Sequence, residues 1–130
     1  MSLDAAPLAR LELPCRDLAR QREFYTRVLG LAADGPAAFR LGPVRLVLRQ
    51  RGDALFPAAG GRAPGEGAAL LAFPVEEAEL DRWHRRMMMA RVAVLEAPGI
   101  GGAPPRVLRV ADPEGNVVEL FAAAAPSPSR

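Results

Sequence analysis

At 130 residues the chain has the length of one domain, enough to bury a core without disulfides or a structural metal. Its net charge is only +2, its 17 basic residues are all Arg and scattered along the chain, and aromatics make up 5%; the concentrated basic face with interleaved aromatics that nucleic-acid binding requires is missing. No apolar run approaches the roughly 20 residues of a membrane span, and Met1-Ser2-Leu3-Asp4 lacks the basic stretch and apolar core of a signal peptide. The lone Cys15 excludes an internal disulfide framework and fits a reducing cytoplasm, where it serves as apolar filler rather than as a nucleophile.

Residues 8–14 alternate as a strand, with Leu11 and Leu13 on one face and Arg10 and Glu12 on the other. Asp17 is a good N-cap, and Leu18, Gln21, Phe24, Tyr25, Val28 and Leu29 then recur at helical spacing until Gly30 ends the helix. Short strands are expected at 32–34, 38–41 and 44–48, the last two joined by a Gly42-Pro43 turn. Residues 52–67, rich in Gly, Ala and Pro, read as a linker.

A second strand-and-helix unit follows. Leu71-Ala72-Phe73-Pro74 lies 60 positions after Leu11-Glu12-Leu13-Pro14, and each stretch is followed by an acid, Asp17 or Glu77, and an amphipathic segment. Residues 68–75 predict a strand and 76–90 a helix with Leu80, Trp83, Met87 and Met88 facing inward. Arg91 stands where the first copy has Gly30, so this helix is expected to end differently. Three strands are expected at 92–96, 106–111 and 117–121, with a flexible Gly- and Pro-rich loop at 98–105 and a flexible tail at 122–130. Between the last two strands, Asp112-Pro113-Glu114-Gly115-Asn116 is turn chemistry, since Pro presets one backbone angle and Asp can accept from the amides ahead of it. The predicted core is Leu11, Leu13, Phe24, Val28, Leu71, Phe73, Leu80, Trp83, Val118 and Leu120.

The stretch Leu11-Glu12-Leu13-Pro14-Cys15-Arg16-Asp17-Leu18, with Phe24-Tyr25 and Leu29-Gly30-Leu31, resembles the opening of the vicinal oxygen chelate superfamily of glyoxalases, bleomycin-resistance proteins, fosfomycin-resistance proteins and extradiol dioxygenases. The closing Asp112-Pro113-Glu114-Gly115-Asn116 with Glu119-Leu120 is similar to the end of that fold. The resemblance implies an α+β chain of two βαβββ modules, about 8–51 and 68–121, whose curved mixed sheets form a cleft within one domain. It also implies a homodimer.

Metal-dependent members of the superfamily hold a divalent ion with His and Glu, one ligand from the first and one from the last strand of each module. Carried onto this chain, those positions fall on Arg10, about Leu46, Leu70 and Glu119, of which only Glu119 can ligate a metal. One carboxylate is a poor site for a divalent ion. The single His84 lies in the second helix beside Trp83, away from the cleft, and no nucleophile accompanies it for a triad. Neither metal nor cofactor is therefore expected. Arg10 is the expected partner of Glu119, because a carboxylate in a partly dry cleft needs a cation.

The expected function is metal-independent binding of a small organic molecule, possible anionic character following from the positive balance, with Arg10, Glu12, Leu46, Leu70 and Glu119 lining the site. The competing expectation is a metal-dependent lyase, isomerase or dioxygenase with an atypical ligand set such as Glu12 with Glu119.

Overall fold

The computed structural model describes residues 1–58, 69–99 and 106–123. Two compact units, 1–60 and 61–130, make up the chain. The expected linker beyond residue 58, the loop residues 100–105 and the tail from 124 onward lie outside the described residues.

In the first unit β1 (Arg10–Cys15), β2 (Ala38–Leu41) and β3 (Val44–Gln50) form a mixed sheet in the order β1-β3-β2, with β1 parallel to β3 and β2 antiparallel to it. The expected strand at 32–34 is reduced to one bridge, Ala33 to Phe39. Helix α1 (Leu18–Glu23) starts where Asp17 Oδ1 accepts the Arg20 N–H at 3.1 Å, satisfying one of the orphan donors of a helix start. It continues as a π-helical stretch, Phe24–Val28, in which the Leu29 N–H reaches the Phe24 carbonyl at 3.2 Å. The wider turn keeps neighbouring aromatics together on the sheet side: Phe24 and Tyr25 are both buried, edge to face at 5.1 Å, and Tyr25 meets Phe39 at 6.0 Å. Leu13, Cys15, Phe39, Leu46 and Leu48 supply the sheet side of this core. Leu11, expected inside, is 38% exposed, because it lies near the start of an edge strand. Val28 is only half-buried.

The second unit repeats the plan with one strand more. Strands β4 (Leu70–Val75), β5 (Val94–Glu96), β6 (Val107–Ala111) and β7 (Val117–Ala122) lie in the order β4-β7-β6-β5, again with the first and last strands parallel. A 3₁₀ turn at Glu77–Glu79 leads into α2 (Leu80–Met89), which packs on β6 and β7 through Leu80 and Met87, against Leu108, Val110, Val118 and Leu120. Full burial of each such side chain contributes about 1.5–3 kcal/mol. Trp83 and Phe73 are half-buried rather than central, and Met88 points outward at 59% exposure, so only the first of the three consecutive methionines packs inside.

The end of α2 corrects an expectation. Arg91 takes the left-handed conformation itself, at φ 58°, as Gly30 does at φ 71°. The Val92 N–H bonds to the Met87 carbonyl at 3.0 Å and the Arg91 N–H to Met88 at 3.1 Å, the paired closure that satisfies the last carbonyls of a helix. The helix thus ends with the same left-handed residue as the first, despite the steric cost of a Cβ there.

The turn from β6 to β7 is built as its sequence predicts. Asp112, 4% exposed, accepts from the N–H of Glu114 and of Asn116 at 2.9 Å each through Oδ1, and from Asn116 Nδ2 at 3.0 Å through Oδ2. Gly115 supplies the positive φ of 86°. Asn116 Oδ1 also accepts from the Ala69 N–H at 3.2 Å, tying the turn to the start of β4.

Candidate functional site

Each sheet has one face under its helix and one open face, and strand alternation decides which side chains reach the latter. On the first sheet the open face carries Arg10 and Glu12 from β1, Arg45, Val47 and Arg49 from β3, and Arg40 from β2. Register sets Arg10, Arg45 and Arg40 side by side across all three strands. Like charges directly opposite one another cost stability, and two carboxylates offset the cost. Asp34 accepts from Arg40 at 2.9 Å and from Arg45 Nε at 3.2 Å. Glu12, whose side chain is 18% exposed, binds Arg10 Nε through Oε2 at 2.8 Å and Arg49 Nε through Oε1. The hydrogen bond from Arg49, reinforced by the charges of Arg49 and Arg10, holds the Glu12 carboxyl below the usual carboxylate range, and Glu12 in turn raises Arg49. A pocket of about 350 Å³ opens here, lined by Arg10, Glu12, Arg45, Val47, Leu48 and Arg49.

On the second sheet, register aligns Ala72, Glu119, Arg109 and Glu96 across the four strands β4, β7, β6 and β5. Arg109 donates from Nε to Glu119 at 2.8 Å and from Nη1 to Glu96 at 2.6 Å. The Glu119 bond and then the Glu96 bond raise the pKa of Arg109 above the ordinary arginine value. The cation beside Glu119 is therefore Arg109, whereas the carboxylate beside Arg10 is Glu12: the compensation expected from Arg10 is supplied from within the second sheet. The sequence held this signal. Asp112–Asn116 closes a hairpin in which Ala111 faces Val117, and counting outward from that pair sets Arg109 opposite Glu119.

Of the other expected site residues, Leu70 lies at the start of β4 and is 54% exposed. Leu46 is fully buried with Leu48 and points into the core, so it does not belong to the open face. The internal repeat identifies the residue that does. Glu119 pairs with Ala72, the residue 60 positions after Glu12, and Glu12 pairs with Val47. Val47 is thus the first-sheet equivalent of Glu119, one position from Leu46, and a slip of one inverts the face.

The positions that the resemblance assigns to metal ligands hold a guanidinium, two aliphatic side chains and one carboxylate, and that carboxylate is bonded to Arg109, a residue set poor in donors for a divalent ion. Among the described residues no three His, Cys, Asp or Glu side chains group closely enough to hold a metal ion.

Residues 8–120 match the model of the Glyoxalase/Bleomycin resistance protein/Dioxygenase superfamily. The chain belongs to that superfamily. Its fold is shared with a glyoxalase/dioxygenase from Nostoc punctiforme, at a TM-score of 0.73 and 20% identity over 96% of each chain. A fosfomycin resistance protein from Mesorhizobium loti aligns at 0.69 and 17% identity, over 92% of this chain and 93% of that one. Lactoylglutathione lyase from Agrobacterium tumefaciens aligns at 0.62 and 25% identity, over 90% of this chain and 93% of that one. No curated protein matches the chain by sequence. No helix among the described residues is long and apolar enough to cross a membrane.

Proposed function

We propose that this chain is a metal-independent member of its superfamily that binds a small organic molecule of anionic character. What supports the reading is the set of residues at the four positions that the resemblance assigns to metal ligands, of which only one can ligate a metal. Arg10 occupies the first, aliphatic side chains the next two, and Glu119 at the fourth is neutralised by Arg109 at 2.8 Å. A guanidinium satisfies a carboxylate with directed, charge-assisted hydrogen bonds and cannot be deprotonated, so it is a permanent substitute for a cation. The excess of Arg on the open face of the first sheet supports an anionic ligand.

The reading includes assembly as a homodimer in the cytoplasm. Edge strands β1 and β4 bear exposed Leu11 and Leu70, apolar surface that a second copy would cover. The single thiol, Cys15, is buried and donates to the Leu13 carbonyl, consistent with a reducing compartment. A thermal-shift screen of small organic acids, run with and without divalent metals, tests the function: the acids raise the melting temperature and metals alone do not. A rise produced by metal alone contradicts it.

A further inference from the structure

Glu12 holds two arginines by the same nitrogen. Its Oε2 takes Arg10 Nε at 2.8 Å and its Oε1 takes Arg49 Nε. A hydrogen bond from Arg49 and an ion pair from Arg10 both engage Nε, and among the described residues no hydrogen bond runs from the terminal Nη1 or Nη2 of either arginine to a protein acceptor. Two η forks, four nitrogens in all, are left to the pocket that these residues line with Arg45 and Val47. Both guanidinium groups sit against one carboxylate and line one pocket.

Charge points the same way. Arg10, Arg40, Arg45 and Arg49 face Glu12 and Asp34, with Asp53 acting on Arg49 from beyond the end of β3, so arginines outnumber carboxylates around this face. A salt-bridge network evolved for stability alone has no need of that excess, and the in-register row Arg10, Arg45 and Arg40 works against it. Two guanidinium groups held on one carboxylate and lining one pocket suit a ligand with both negative charges and several acceptor oxygens on a single centre. Two separate carboxylates would need forks held apart, and a single carboxylate would use only one of them.

Resting on the binding function proposed above, we infer that the Arg10–Glu12–Arg49 pocket receives the dianionic head of a phosphate monoester, with Glu12 as the residue that positions both guanidinium groups. Val47 and the aliphatic stems of the arginines give the pocket an apolar floor against which the organic part of the ligand rests.

Isothermal titration of the intact protein with phenyl phosphate, benzoate and benzenesulfonate tests this. Phenyl phosphate is expected to bind one to one and more tightly than either monoanion. Its affinity is expected to fall roughly tenfold between about pH 8 and about pH 5, because a second phosphate pKa near 6 leaves about a tenth of the ligand doubly charged at the lower value. Arg10→Gln and Arg49→Gln are each expected to weaken binding by about tenfold or more, while Arg82→Gln on α2, which removes the same charge elsewhere, leaves it unchanged. Absence of saturable phenyl phosphate binding overturns the inference, as does binding undiminished in Arg49→Gln. Benzoate bound as tightly as phenyl phosphate also removes the dianion assignment but leaves the binding function standing. Stoichiometric metal in the purified protein would remove that function as well.

Discussion

Truncation of two adjacent residues on β3 tests the assignment of faces on which the site depends. Leu46 is fully buried, and replacing it with Ala removes three carbons from the core. At about 0.8 kcal/mol for each buried carbon the transfer loss is about 2.4 kcal/mol, and the cavity left behind brings the expected cost to about 3–4 kcal/mol. Val47, its neighbour, faces the Arg-rich pocket and is half-buried, so Val47→Ala removes less carbon, partly exposed already, and should cost below about 1 kcal/mol. With a urea dependence of about 2 kcal/mol per molar, the Leu46→Ala midpoint should drop by about 1.5–2 M and that of Val47→Ala by less than about 0.5 M. Equal shifts, or a larger one at Val47, would refute the assignment and return Leu46 to the open face.

Glu12→Gln is expected to flatten the acid limb of stability. The folded-state pKa of Glu12 is lowered by Arg49 and Arg10, so its contribution is fully present above the ordinary glutamate range, near pH 4.3, and is lost as pH falls through the lowered folded value. Melting temperatures followed downward from neutral pH should therefore separate wild type from variant above that range and converge below it; a constant gap would show that Glu12 does not act through ionisation. Asp112→Ala removes three hydrogen bonds from a buried turn and strands two backbone N–H groups, for an expected cost of about 3 kcal/mol or more by urea denaturation. A loss under about 0.5 kcal/mol would mean that solvent replaces those bonds.

Local chemistry made much of the fold legible in sequence. Asp17 caps a helix because a carboxylate two or three residues ahead of free amides can do little else there, and Asp112, Gly115 and Asn116 specify their turn for similar reasons. The strand-then-helix order of both units followed from alternation and the 60-residue repeat, whereas the βαβββ plan came from the resemblance, and the first unit keeps three strands of the four that plan implies. What escaped was set by position in the tertiary structure. Leu11 looks like core by alternation, but an edge strand leaves it without neighbours on one side. The π-helical turn at Phe24–Val28 has no signature in propensity; it coincides with two adjacent buried aromatics, of which Tyr25 meets Phe39. Arg91 at positive φ goes against residue preference, because closing the helix outweighs a local steric cost. In the site, the identity of each charged residue was readable and its partner was not: Arg109 was assignable only once the β6–β7 register was counted, and Val47 only once both sheets were aligned through their repeat.

The metal content of protein purified without chelators bears most directly on the central claim, that guanidinium groups have taken over the role of a metal centre. Elemental analysis should find Zn, Ni, Mn and Fe each far below one equivalent per chain, before and after incubation with the ion and removal of excess. About one equivalent of any of them, lost on Glu119→Gln, would contradict the account and make Glu119 a metal ligand rather than the partner of Arg109.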